Sequence, residues 1–328
     1  LNAMLLRVIH HTQYIYQVPV MLAQHLAHLQ PLQTDGQQLL RHQTAILPVP
    51  AQRQDTSDAF GNQRTFFALQ SPHEQLDVIS DSLLQTRKSA PLPASPAWED
   101  VQQAYQYHAG QPYEPSSEFR FASPFVVIDD TFTEFARPDF TPRRPLLAAC
   151  EALMNRIHME LRYESQSTEI HTPALQALAQ RKGVCQDFAH IMLGCLRSLG
   201  LAARYVSGYL LTQPPPGKER LVGADASHAW VSVACEGKWY DFDPTNQRCG
   251  YPSPGEDYVT VAIGRDFGDV SPLRGVIQGG GSHELSVAVT VAPADQFERL
   301  VPGLQLITAS AASGQPLPRI KSKPATAE

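Results

Sequence analysis

Residues 183–190 read Gly183-Val184-Cys185-Gln186-Asp187-Phe188-Ala189-His190, and they open the segment whose reading decides the fold. From Cys185 the pattern predicts a helix to about Leu199. Phe188, Met192, Leu196 and Leu199 recur at helical spacing and form an apolar face for a core. Gly200 ends the helix, as glycine commonly does. Gly183 permits a tight entry. Cys185 thus stands at a helix N-terminus, where unpaired N–H groups and a partial positive charge favour an anion. A thiolate is the nucleophilic form of cysteine, and the same N–H groups can receive an oxyanion during acyl transfer. Cysteine is also a common core residue, and Cys185 taken alone fits that use at least as well.

Downstream, Ala203 to Leu211, His228 to Cys235 and Trp239 to Asp243 read as strands. Glu236-Gly237 turns the last two into a hairpin. A two-residue turn there sets Cys235 opposite Lys238 and His228 opposite Thr245. Asp243 is then the diagonal neighbour of His228, with Cα atoms roughly 7–8 Å apart, within side-chain reach. A hydrogen bond between them would fix the imidazole tautomer and leave its other nitrogen free. Taken alone, the pair serves structure as readily as chemistry. Asp241 is the competing acid; it is assigned to the opposite face from Asp243 and ranked second. Together, a cysteine on a helix start, a histidine on a strand and an acid on the paired strand match the division of labour of nucleophilic catalysis. Cys185, His228 and Asp243 are the expected catalytic residues.

Working back towards the N-terminus, residues 4–90 read as a small β-rich domain, a sheet or sandwich. Leu6, Val8 and His10 alternate with Leu5, Arg7 and Ile9, and Tyr14, Tyr16 and Val18 continue with period two until Pro19 interrupts. Ala45 to Val49 and a segment beginning at Leu76 read as further strands, with Gly61-Asn62 as a turn. Ser89 to Pro96 reads as a linker. Helices are expected over Trp98–His108 and Pro145–Leu161, with a short one opened by Thr172-Pro173. Residues 97–295 form the expected core, with Leu285 to Val291 as its last strand. Residues 312–328, rich in Pro, Lys and Ala, are expected to be disordered.

With 328 residues the chain can hold two domains. Its formal net charge of −6, without a basic block, argues against nucleic-acid binding. No apolar run approaches the ~20 residues of a membrane span, and no secretory signal is recognisable, so a cytoplasmic location is expected. The five cysteines form no Cys-x-x-Cys pair and, being odd in number, do not read as a disulfide framework. No metal or cofactor is expected.

The same residues resemble a family. Gly183 to His190 is similar to the nucleophile segment of bacterial transglutaminase-like proteins, often described as cysteine proteases. Ala203-Arg204-Tyr205-Val206-Ser207-Gly208-Tyr209 resembles the strand that follows. Ala226-Ser227-His228-Ala229-Trp230 resembles the histidine segment, and Phe242-Asp243-Pro244-Thr245-Asn246 the acid segment. Gly264-Arg265-Asp266-Phe267 with Asp269-Val270-Ser271-Pro272 matches a downstream block, and Asp58 to Asn62 the family's β-rich N-terminal domain. The resemblance extends from Met4 to about Val291. It implies an α+β, papain-like transglutaminase core, a nucleophile helix packed on an antiparallel sheet. It also implies Cys185 as nucleophile, His228 as general base and Asp243 as its orienter.

The expected chemistry is cleavage of a peptide or amide bond through a thioester, with a peptide or protein as substrate. The absence of an Asp-x-Asp-x-Asp-Gly calcium loop favours water over an amine as acceptor. Transfer to an amine, transfer from an acyl-coenzyme A, and a non-catalytic scaffold are the alternatives. Tyr163 and Gln180 are both candidates for a second oxyanion donor. Asp187 is expected to cap the helix rather than tune the thiolate. His190, Cys195, Cys235, Cys249, Trp230 and Trp239 are expected to be structural. Asp225 is a candidate either for the mouth of the site or for a plain polar loop, and Gln213 to Leu221 is a candidate lid.

Overall fold

Pro19 does not end the first strand. In the computed structural model, which describes residues 3–110, 112–164, 172–212 and 227–300, β1 runs over Met4–Ala27. Proline has no N–H to give the ladder. The pairing accommodates this by slipping, with a register shift between Ile15 and Val20, and the strand continues beyond. Then come β2 (Gln37–Leu47), β3 (Gln52–Ser57), β4 (Gln63–Leu69) and β5 (His73–Thr86), followed by α1 (Trp98–Ala104), α2 (Asp130–Ala136) and α3 (Leu146–Glu160). The central region contains β6 (Arg162–Tyr163), α4 (Ala174–Gln180), β7 (Lys182–Gly183), α5 (Cys185–Ser198), β8 (Ala203–Leu210), β9 (Ser227–Cys235), β10 (Lys238–Asp243), β11 (Arg248–Gly250) and β12 (Tyr258–Gly264). The last elements are α6 (Phe267–Val270), β13 (Leu273–Gly279), β14 (His283–Pro293) and α7 (Ala294–Leu300). The tail at 312–328 and the segment 213–226, with Asp225 and the candidate lid, lie outside the described residues.

β1 is flanked on one side by β4 and β5, and on the other by β13 and β14, all antiparallel to it. Residues 273–293, read with the second domain from sequence, therefore complete the first sheet. The local pattern of a strand says that it pairs but not with what. Leu6 and Val8, with Leu84, Val289 and Val291, join the main hydrophobic core. Further along β1, Tyr16, Val20, Ala23 and Ala27 pack with Phe67, Leu69, Leu76 and Val78 in a second one.

The second sheet has the order β11-β10-β9-β8-β12 and is antiparallel throughout. α5 packs against β8 and β9 and is covered by α2, α3 and α4. The expected single apolar face understates its burial. Every residue from Asp187 to Arg197 is buried, because the helix has neighbours all round. Gly194 lets α2 approach, since a Cβ there would lie 2.7 Å from the Phe132 ring.

β12 is an edge strand, and the first domain covers it with side-chain amides. Gln37 Nε2 donates to Thr260 O (2.7 Å), and Thr260 N–H donates to Gln37 Oε1 (2.8 Å). Asn62 repeats the arrangement at Ile263, donating to its carbonyl (2.7 Å) and accepting from its N–H (2.8 Å). Each amide stands in for a strand residue and satisfies an otherwise open edge. Asp58, which accepts from Asn62 Nδ2 (2.8 Å), holds the second amide in place. The expected linker is also pinned, Ala90 pairing with Tyr251 in both directions.

Candidate active site

The hairpin that carries the site follows from its turn. Glu236 and Gly237 both have positive φ, 50° and 73°, the conformation of a two-residue turn that matches strand twist. It sets Cys235 opposite Lys238 and carries the register on to Val231 opposite Phe242. His228 and Asp243 are then diagonal neighbours, and His228 Nε2 meets Asp243 Oδ2 at 2.7 Å. Burial disfavours a charged ring. The hydrogen bond and charge of Asp243, then the contact with Cys185, outweigh it, and His228 is pushed up to about 10. With Nε2–H given to Asp243, the far side of the ring is left towards the Cys185 thiol, which stands near enough to add to that rise.

Asp243 is fully buried, and its carboxylate is saturated. Oδ2 accepts from His228, from Asn246 Nδ2 (2.7 Å) and from the Tyr258 hydroxyl (2.7 Å). Oδ1 accepts from the N–H groups of Thr245 (2.9 Å) and Asn246 (3.3 Å). Burial opposes ionisation, but the bonds from His228, Asn246 and Tyr258 hold the carboxyl below the usual range. Neither Asn246 nor Tyr258 was found from sequence. Asn246 lies in a quoted motif, three residues after the acid, within reach of an Asx-type turn. Tyr258 comes from another strand and leaves no local signal.

Asp241 requires a correction. Residues two apart on a strand share a face, so Asp241 lies on the same side as Asp243. Trp230 keeps it from the histidine. The indole Nε1 donates to Asp241 Oδ2 (3.0 Å), Ser232 Oγ donates to Oδ1, and the indole stacks on His228 with centroids 6.1 Å apart. Burial pushes the Asp241 carboxyl up to about 6, despite the bonds from Ser232 and Trp230. Gly208 makes room for this indole. A Cβ there would lie 2.0 Å from Val259 O and 2.6 Å from Trp230 Cη2. Gly208→Ala is expected to destabilise the protein by about 1–3 kcal/mol through overpacking, read as a lowered melting temperature.

Cys185 is half-buried at the first position of α5, with Val184 as N-cap. Asp187 turns back so that its Oδ2 accepts from Val184 N–H (2.8 Å), the capping arrangement expected. Gly183 is required by it, since a Cβ at 183 would meet the Asp187 carboxylate at 2.6 Å. β6 and β7 pin the approach, Tyr163 pairing with Gly183 and Glu164 N–H donating to Gly183 O (3.0 Å). This brings Tyr163 beside the segment that carries Cys185, with its ring edge-on to Phe188 at 6.3 Å. Gln180 ends α4 as an exposed residue.

The remaining residues pack. His190 is buried and pushed down to about 3 by burial and Arg197, and its Nε2 accepts from Phe267 N–H (3.2 Å). Cys195 and Cys235 are buried in the main core, with Cys249 half-buried against it. Trp239 carries the Arg204 guanidinium at 4.0 Å and meets Phe119 edge-on. Among the described residues no group of three or more His, Cys, Asp or Glu side chains could hold a metal ion, and no helix is long and apolar enough to cross a membrane.

A half-buried cysteine on a helix start, against an imidazole oriented by a carboxylate on the neighbouring strand, defines the transglutaminase-like class of core. Residues 6–85 match the bacterial transglutaminase-like N-terminal region, and residues 135–244 match the transglutaminase-like superfamily. The uncharacterised protein Rv2569c of Mycobacterium tuberculosis is 38% identical over 298 residues, 88% of this chain and 92% of the relative. The uncharacterised protein ML0607 of Mycobacterium leprae is 31% identical over 290 residues, 87% of this chain and 98% of that one. A protein of Cytophaga hutchinsonii, provisionally described as a cysteine protease, has a similar fold, with TM-score 0.69 and 20% identity over 90% of this chain and 92% of its own. The chain belongs to the bacterial transglutaminase-like family.

Proposed function

We propose that this chain is a cysteine-nucleophile enzyme that cleaves a peptide or amide bond through a thioester. The observation that carries the reading is His228 held between Asp243 and Cys185. The Cys185 thiolate attacks the carbonyl carbon, and the N–H groups of the first turn of α5 receive the oxyanion. Tyr163, beside the nucleophile segment, is a further donor. The His228 imidazolium protonates the departing amine, and the acyl group remains on sulfur. His228 then takes a proton from water, hydroxide attacks the thioester, and Cys185 leaves. Asp243 keeps the ring in one orientation throughout. The substrate is a peptide or a protein carrying the scissile amide, and the five free cysteines fit a reducing cytoplasm.

Peptide-amide and glutamine-containing substrates test the proposal when amine release is followed with and without a labelled amine. Release of free acid at a rate that the labelled amine does not divert supports hydrolysis. Incorporation of the label without free acid makes the protein an acyltransferase and overturns the hydrolytic assignment.

A further inference from the structure

The catalytic reading leaves Tyr258 unused, although its phenol is one of three donors on the Asp243 oxygen that holds His228. Burial, then the charge of Asp243, push this phenol well above the usual tyrosine range, so it remains a donor. Its ring is held edge-on to Trp230 at 5.4 Å and lies under the Arg248 guanidinium at 4.8 Å. Arg248 is itself fixed by Asp257 (2.7 Å). Tyr258 is the first residue of β12, the edge strand that the N-terminal sheet grips. The Gln37 grip falls on Thr260, where the pairing of β12 with β8 shifts register, and the Asn62 grip on Ile263 just beyond. Thr86 Oγ1 adds a bond to Glu256 O (2.6 Å), just ahead of the strand. A register shift is where a strand is least constrained by its own sheet. A second domain that holds the backbone there sets where Tyr258 stands.

We propose that Tyr258 is a positioning residue of the triad, and that the N-terminal domain acts on the active site by fixing β12 through Gln37 and Asn62. The chain of contact runs from the Gln37 amide to the backbone of Thr260, along β12 to the Tyr258 phenol, then to Asp243 and His228. This proposal rests on the catalytic reading of Cys185 and His228, and it gives the first domain a role in that site.

The test uses the full chain and iodoacetamide at pH 6, and follows the rate of Cys185 alkylation. The low-field proton resonance of the His228 Nε2–H is recorded in parallel. A hydrogen bond to a charged group is worth enough that Tyr258→Phe is expected to slow alkylation about tenfold and to move the resonance. Gln37→Met removes one grip and keeps the side-chain volume. It is expected to slow alkylation about threefold in the wild-type background and to add nothing to Tyr258→Phe, because both act on one path. If Gln37→Met does not fold, Gln37→Glu, which keeps the acceptor for Thr260 N–H, takes its place. An unchanged rate and resonance in Tyr258→Phe, with only a lowered melting temperature, would make Tyr258 a packing residue and overturn the proposal. A Gln37 effect that multiplies in full with Tyr258→Phe would overturn the route from the N-terminal domain. A wild-type Cys185 no faster than an ordinary thiol would instead sink the nucleophile reading, and the His228 resonance then decides the role of Tyr258 by itself.

Discussion

His228→Ala is expected to slow alkylation of Cys185 by iodoacetamide about a hundredfold at pH 6. An ordinary thiol, with pKa ~8.5, is thiolate to well under about 1% at that pH, and only the thiolate reacts. In the wild type the imidazole against Cys185 keeps its proton up to about 10, so it presents a positive charge to the sulfur through the whole neutral range. Removing the ring removes that charge. The wild-type rate should change little between pH 6 and 8, whereas the variant should gain close to tenfold per pH unit over the same range. Cys195 and Cys235, buried in the core, serve as internal controls and should react only on unfolding. A wild-type rate that climbs tenfold per unit through this range would show that no charged imidazole stands against the sulfur.

Asp243→Asn has the second large expected effect, on stability as well as activity. The pair is buried, with side-chain exposures of 9% for His228 and 0% for Asp243, and the bond between them is 2.7 Å. Breaking a buried pair by removing one charge costs about 3–5 kcal/mol, because the partner is left unpaired. The two titrations set the pH window. His228 is raised above its unfolded value of about 6.5, so its contribution is full below that pH and is lost as pH rises towards about 10. Asp243 is depressed below its unfolded value, so its contribution is present above about 4 and is lost as pH falls through the lower folded value. The melting-temperature difference between wild type and Asp243→Asn should therefore be largest between about pH 4 and 6.5 and should shrink steadily towards pH 10. A difference that is flat across this range would mean that the pair is not ionised as described. Turnover should fall by as much as about 10⁴-fold, the effect of losing the orienting carboxylate in a triad.

The parts of the site within one hairpin were legible because strand pairing is arithmetic. Once Glu236-Gly237 is a two-residue turn, the register that joins His228 to Asp243 is determined. The helix start at Cys185 was legible from Gly183 and the spacing of Phe188, Met192 and Leu196. The face of Asp241 was misread, although period two places it beside Asp243, and the indole that separates it from His228 has no signature in the spacing. Tyr258, Gln37 and Asn62 act across long stretches of chain. Gln37 and Asn62 do so through amide groups whose value depends on meeting a bare strand edge, and nothing local announces that. The pairing of β13 and β14 with β1 is hidden for the same reason. An alternating apolar segment records that it has a buried face and leaves the neighbour unspecified.

That last pairing orders events in the cell. Leu6 lies opposite Pro293, so β1 is completed by strands made only after the whole of the second sheet. During synthesis β1 leaves the ribosome with one flank open, and it stays open while α5 and the hairpin of the site emerge. Long-range closures of this kind are slow and leave an unpaired edge exposed meanwhile. The N-terminal sheet cannot be completed before the transglutaminase-like core has been made, and a chain cut near residue 272 would keep a permanently adhesive edge along β1.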